Sequence, residues 1–230
     1  MERGIGAWIG RRPRVYRWAR ALVSPLHPGR GGYRLLRRMP GRRRVLNVGS
    51  GPLVYGPDII NIDARAHPEV RVVADAKALP IREGSIDGVI CEVMLEHVPD
   101  PQQAVHEMIR CLRPGGWIYI SAPFLQPFHC APTDYTRWTL PGLERLVGRG
   151  VRIVESGVAG GPTAAVTWIL SEYIGLVLSF GSVRVQAAVA LALRVILSPL
   201  KALDLLLMRM GASSILASLL FVLARKPDSK

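Results

Sequence analysis

Residues 45–51 read Val-Leu-Asn-Val-Gly-Ser-Gly. The run Val45-Leu46-Asn47-Val48 has the length and apolar character of a strand covered on both faces. It enters a turn in which Gly49 and Gly51 flank Ser50. Glycine takes positive φ without strain and has no side chain to hold a ligand away from the backbone. In open α/β sheets, ligands sit beyond the carboxyl ends of the strands. Residues at the ends of neighbouring strands are therefore candidates for the same site.

Such strands follow at regular intervals. Ile59–Ile62 ends at Asp63, Val70–Val73 ends at Asp75, and Gly88–Cys91 is followed by Glu92. Pro101–Leu112 has apolar residues at helical spacing and is stopped by Arg113-Pro114-Gly115-Gly116. Trp117–Ala122 is a fifth strand, Leu140–Val147 a helix and Val151–Ser156 a sixth strand. Apolar strands alternating with helices predict an α/β fold with a mostly parallel sheet covered on both faces. The carboxylates Asp63, Asp75 and Glu92 would then share one rim with the glycine turn. The first is placed for ribose hydroxyls and the second for an adenine edge.

On these residues the chain resembles the class I S-adenosylmethionine-dependent methyltransferases, and within them the small-molecule, type 11-like group that includes quinone-biosynthesis enzymes. The matching stretches are VLNVGSG, NIDA, VADAKALPIREGSIDGVIC, LEHVPDPQQAVHEMIRCLRPGGWIYISAP and TLPGLERL, and the strongest part runs from Asp75 to Gly116. The resemblance implies a Rossmann-like seven-stranded sheet with the last strand antiparallel and S-adenosyl-L-methionine as cofactor. It implies that Asn47, Gly49, Ser50 and Gly51 lie at the methionine end, Asp63 and Ala64 at the ribose, Asp75 and Ala76 at the adenine, and Glu92 toward cofactor and acceptor. His97 is a signature residue, read as shaping the pocket wall. Two departures stand out. Asn47 replaces the usual acid, and Leu53 replaces the third glycine. The connection Pro52–Asp58 is also too short for the dozen residues and helix of an ordinary parallel crossover, so the wall there is thin or closed by the N-terminal arm.

Methyl transfer from a sulfonium asks the protein mainly to align the acceptor and, for oxygen or nitrogen acceptors, to remove a proton. The stretch from Pro123 to Trp138 after the fifth strand is dense in functional groups. In it His129 is expected as base, Tyr135 as orienter or acid, and Arg137 as a clamp for a substrate anion. The alternative is a structural Asp134–Arg137 pair with His129 capping a turn. No Asn/Asp-Pro-Pro-aromatic motif follows the fourth strand, which argues against the nucleic-acid amino-group methyltransferases that use one.

The rest of the chain is less ordinary. Of a net charge of +13, residues 1–44 hold +12, with 13 Arg against Glu2 alone. Residues 4–24 mix Trp8 and Trp18 with arginine at roughly helical spacing. They read as a basic amphipathic arm for an anionic membrane surface or, as the alternative, for nucleic acid. Residues 160–212 are strongly apolar, with helix-like runs at Ala164–Phe180 and Val183–Met208, the latter kinked by Pro199. They read as an insertion before a last strand within Ser214–Ala224. The expected organisation is an arm at 1–44, a methyltransferase domain at 45–159 and 213–227, and the insertion at 160–212. Its charge-free runs are too short or interrupted to span a bilayer. It suits an interfacial hairpin, a lid over an apolar substrate or a homodimer interface. Cys91, Cys111 and Cys130 have no disulfide or zinc spacing, and no secretory leader is visible. The reading is a cytoplasmic enzyme, peripheral at the membrane, acting on a small-molecule, hydrophobic or lipid-linked acceptor. An RNA-binding or RNA-modifying protein and a catalytically inactive membrane scaffold are the alternatives.

Overall fold

The computed structural model describes residues 31–41, 43–129 and 133–228. The proposed amphipathic segment at 4–24 and Cys130 lie outside them. The elements are helix α1 (Gly31–Arg38), strands β1 (Val45–Val48), β2 (Ile59–Asp63), β3 (Val72–Val73) and β4 (Ile86–Glu92), a 3-10 turn (Leu95–His97), helix α2 (Pro101–Cys111) and strand β5 (Leu112–Pro123). Helix α3 (Leu140–Val147), strand β6 (Arg152–Gly160), helices α4 (Pro162–Leu178), α5 (Val183–Leu197) and α6 (Asp204–Leu207), and strand β7 (Leu219–Arg225) complete them, with 3-10 turns at Ser198–Leu203 and Gly211–Leu216.

The seven strands form one sheet in the order β3-β2-β1-β4-β5-β7-β6. The pairs from β3 through β5 are parallel, and β7 runs antiparallel to β5, with Ile120 opposite Val222. This is the Rossmann-like, mostly parallel sheet expected of the sequence. In it, β1 lies between β2 and β4, with Asn47 level with Asn61 and Ile90. The chain reverses direction across the sheet at β1, so the glycine turn after it opens into the crevice where such sheets bind ligands.

The described residues fall into two compact units. One comprises 125–127 and 160–218, and the other the sheet with its flanking helices. In the sheet unit, the connection from β1 to β2 has no helix. Helix α1, within the basic arm, instead buries Leu35 and Leu36 in a core with Val45, Ile59, Ile90, Tyr119 and Phe221. Its basic face is tied to β6 by ion pairs of Arg34 and Arg38 with Glu155. Helix α2 starts where Asp100 Oδ1 accepts from Gln103 N at 3.0 Å and Pro101 needs no partner for a missing N–H.

In the other unit, α4 and α5 pack together, Gly175 admitting Ala190. Gly161 gives α4 no capping side chain. Asp204, fully buried, takes that place by accepting from Thr163 N at 2.7 Å and Ala164 N at 3.0 Å. Several element edges differ from the sequence expectation: β5 begins at Leu112 instead of Trp117, and β6 runs on to Gly160 instead of ending at Ser156. The helix expected to run to Met208 ends at Leu197, because Pro199 has no N–H to continue it. The strand expected from Val70 is reduced to Val72–Val73 at the sheet edge. The last strand starts only at Leu219, after a 3-10 turn that occupies Gly211–Leu216.

Candidate active site

The turn after β1 is held by the neighbouring strand. Gly49 N and Ser50 N both donate to Ile62 O, at 2.8 and 3.1 Å. Gly49 has φ +70° and Gly51 φ +48°, so both occupy the left-handed region that glycine enters freely. A Cβ on Gly49 would collide with the Met94 side chain, whereas one on Gly51 would meet nothing among the described residues. Asp63, at the end of β2, accepts from Gly51 N through Oδ2 at 2.8 Å and from Arg65 N through Oδ1 at 2.9 Å. A carboxylate offers about four lone-pair sites. Two are taken, which leaves one on each oxygen, the number that a ribose diol needs. The neighbouring Ala64 is exposed. Asp75 follows β3 with an exposed side chain, accepts from Lys77 N at 2.9 Å and lies 3.6 Å from Lys77 Nζ, with Ala76 half-buried beside it. The turn, Asp63, Asp75 and Ala76 thus follow the carboxyl ends of three adjacent strands and fit an adenosyl cofactor.

Asn47 and Glu92 are engaged inside the protein. Asn47 Nδ2 donates to Leu53 O at 3.0 Å and to Asn61 Oδ1 at 3.1 Å, while Asn61 Nδ2 donates to Leu53 O and Glu69 O. The two amides therefore pin the short crossover. Glu92 accepts from Gly32 N at 3.0 Å and from the Tyr55 hydroxyl. A Cβ on Gly32 would meet the Tyr55 ring and Ile90, so only glycine lets α1 approach this closely. Burial and the Glu92 charge push the Tyr55 phenol well up, which keeps it a donor. Val93, next in the chain, is held at φ +51°. That conformation costs a β-branched residue about 1–3 kcal/mol. The kink separates Glu92, on Tyr55, from Met94, on Gly49.

The loop after β5 builds an ionic cluster with the 3-10 turn after β4. Arg137 forks onto Asp134, and Asp134 Oδ2 also accepts from His129 N at 2.9 Å. Burial pushes the Asp134 carboxyl up, but the Arg137 and His129 hydrogen bonds outweigh it and hold it below the usual range. His129 Nδ1 lies 3.6 Å from Asp134 Oδ2 and 3.4 Å from Arg137 Nη2. Its Nε2 faces Glu96 Oε1 at 3.9 Å, and His97 Nε2 faces the same oxygen at 3.7 Å. Tyr135 N donates to Glu96 O at 2.7 Å, and the Tyr135 side chain is exposed. The structure therefore brings His129 and Arg137 together on Asp134, and sets His129 and the Tyr135 backbone against Glu96, a residue that reading the sequence did not single out. Its signal was adjacency to His97. Tyr55 and Asn61 carried none, since their contacts come from elements apart in sequence. Cys91 is buried beside this cluster, and burial with the Glu96 and Glu92 charges pushes its thiol well up. It is not a nucleophile at neutral pH.

A methyltransferase-domain family matches residues 53–120. The chain is 37% identical over 101 residues to a ubiquinone biosynthesis O-methyltransferase of Bordetella avium, covering 34% of this chain and 42% of that protein. It is 33% identical over 147 residues to a demethylmenaquinone methyltransferase of Renibacterium salmoninarum, covering 55% and 57%. The chain thus spans about half the length of the curated relatives it matches. Among solved structures, the 1,6-didemethyltoxoflavin-N1-methyltransferase of Burkholderia thailandensis, with bound 1,6-didemethyltoxoflavin and S-adenosylhomocysteine, is similar over 98% of this chain and 87% of that one. The TM-score is 0.56 at 18% identity, a likeness of fold.

Proposed function

We propose that this chain, which carries a domain of the class I S-adenosylmethionine-dependent methyltransferase family, transfers the methyl group of S-adenosylmethionine to a small apolar acceptor. The observation that carries the reading is the Gly49–Gly51 turn bonded to Asp63, a pre-formed cradle with the two ribose acceptors still open. When bound, the cofactor supplies the sulfonium-activated methyl group, and the residues of this chain bind and orient it. Tyr135, exposed in the loop after β5, orients the acceptor. Arg137, forked onto Asp134, acts by fixing His129 rather than by clamping a substrate anion. An oxygen or nitrogen acceptor loses its proton to the cluster around His129. The apolar acceptor is supported by relatives named for ubiquinone and menaquinone biosynthesis.

Binding of labelled S-adenosylmethionine to the purified chain tests the reading. Asp63→Ala removes hydrogen bonds to a charged acceptor, each worth about 1.5–3 kcal/mol, so affinity falls roughly 10- to 100-fold or more. A wild-type chain that binds no cofactor would sink the proposal. Label from the methyl group, incubated with a cell extract, is expected in the fraction soluble in organic solvent. Label in RNA would overturn the acceptor class.

A further inference from the structure

The geometry points to a divalent transition-metal site at Glu96, His97 and His129. Glu96 is fully buried, and among the described residues neither of its carboxylate oxygens has a hydrogen-bond partner. An ionised carboxylate in that position needs a compensating positive charge. What faces it is two imidazoles. His97 Nε2 and His129 Nε2 stand 3.7 and 3.9 Å from Glu96 Oε1. Those separations are beyond a good hydrogen bond but near those of donors that share an ion. Metal–nitrogen and metal–oxygen bonds of about 2.0–2.2 Å at tetrahedral angles put neighbouring ligand atoms roughly 3.3–3.6 Å apart. One ligand atom from each of the three residues lies within 4.8 Å of the others, so closure onto an ion needs only side-chain adjustment.

The surroundings of the imidazoles fit the same purpose. His97 Nδ1 lies 2.6 Å from Thr133 O. A carbonyl can only accept, so this nitrogen carries a proton and Nε2 is the ring atom turned toward Glu96. Behind His129, Asp134 Oδ2 accepts from the His129 backbone N at 2.9 Å, and Arg137 Nη2 lies 3.4 Å from Nδ1, contacts that hold the ring in place. The two rings are inclined at 85°, so they approach the ion from different directions. Two imidazoles and one carboxylate select a first-row cation such as Zn²⁺ over Mg²⁺. Three protein ligands leave a fourth position open, and His97 and His129 retain 16% and 26% side-chain exposure from which it can be reached. The site stands on these side chains alone. Only its use rests on the methyl-transfer reading: an ion there makes His129 a ligand instead of a proton acceptor, and lowers the pKa of an acceptor hydroxyl bound at the open position.

The test is titration of the untagged, chelator-treated full chain with Zn²⁺ against a chromogenic chelator, with cobalt(II) as a spectroscopic probe. One equivalent of Zn²⁺ is expected to bind, to raise Tm and to resist excess Mg²⁺. Glu96→Gln, which keeps the shape of the buried side chain, and His129→Ala each lower the affinity roughly 100-fold or more, and Asp134→Asn lowers it about 10- to 100-fold. His106→Ala, on α2 away from the cluster, leaves it unchanged. Circular dichroism on each variant shows that the fold is kept, and the Glu96→Gln chain lacks the rise in Tm. Absence of stoichiometric Zn²⁺ binding, equal affinity in Glu96→Gln, or displacement by Mg²⁺ at matched concentration would each overturn the site. S-adenosylmethionine binding, measured on the same samples, reports separately on the methyl-transfer reading.

Discussion

Asn47 is where single-residue chemistry departs furthest from what the family resemblance suggests. The resemblance puts an acid at this position, facing the cofactor. In the structure the amide is almost fully buried and donates to Leu53 O and Asn61 Oδ1. A carboxylate cannot donate. Asn47→Asp would place it against a carbonyl and an amide oxygen, all acceptors, away from water. Loss of two hydrogen bonds plus a buried, unpaired charge makes this costly, about 3–5 kcal/mol. Restoring the family's usual acid is therefore expected to destabilise this chain, with a urea midpoint well below that of wild type. Asn47→Ala leaves Leu53 O its bond from Asn61 Nδ2 at 3.3 Å and is milder, about 1–2 kcal/mol. If Asn47→Asp matched wild type in stability, the amide clamp would not be what holds the short crossover.

At the scale of elements, periodicity located the strands of the sheet and helices α2 and α3, because each presents a buried face whose spacing reflects its own geometry. It could not supply partners distant in sequence. Asp204 caps α4 from far along the chain, and Glu96 meets His129 only because β4 and β5 lie side by side. The loop of the site was legible from its density of functional groups, but its internal pairing was not. A similar long-range latch fixes the segment before β4. Glu107 on α2 accepts from Leu79 N at 3.1 Å and pairs with Arg110, which in turn donates to Leu79 O and Ile81 O. The Arg110 hydrogen bond, helped by Leu79 N and opposed by burial, holds the Glu107 carboxyl below its usual value. Unfolding returns it to about 4.3. Its contribution is thus complete above that value and is lost as pH falls through the lower folded value. Tm is expected to be nearly flat from pH 7 to 5 and to drop below about pH 4, with Glu107→Gln lower at neutral pH and flatter on the acid side. An acid limb unchanged by Glu107→Gln would assign the pH dependence to other carboxylates.

Over the whole molecule, charge and apolar surface are segregated along the chain. Residues 1–44 carry +12 of the net +13. The unit of residues 160–218 leaves Phe180 96% and Val183 77% exposed, together with Leu176, Ile196, Leu206 and Ile215. Large apolar side chains exposed in this number and to this degree are unusual for a surface that meets only water. No described helix is long and apolar enough to cross a membrane; we propose that the arginine-rich arm and this apolar surface meet a bilayer at its interface. The two contributions respond differently to salt. Attraction between the arginines and anionic headgroups is screened over about 10 Å at 0.1 M ionic strength, whereas apolar insertion is not. The full chain is therefore expected to co-sediment strongly with anionic vesicles at low salt. At high salt its binding should fall to the level seen with neutral vesicles, and stay above zero. Phe180→Asp with Val183→Asp removes side chains worth about 1.5–3 kcal/mol each when buried, so the salt-resistant part drops tenfold or more while the salt-sensitive part remains. If the chain stays in the supernatant with neutral vesicles and the same substitutions instead split a dimer in sedimentation velocity, the apolar face joins two copies of the chain and the arginine-rich arm alone accounts for any membrane binding.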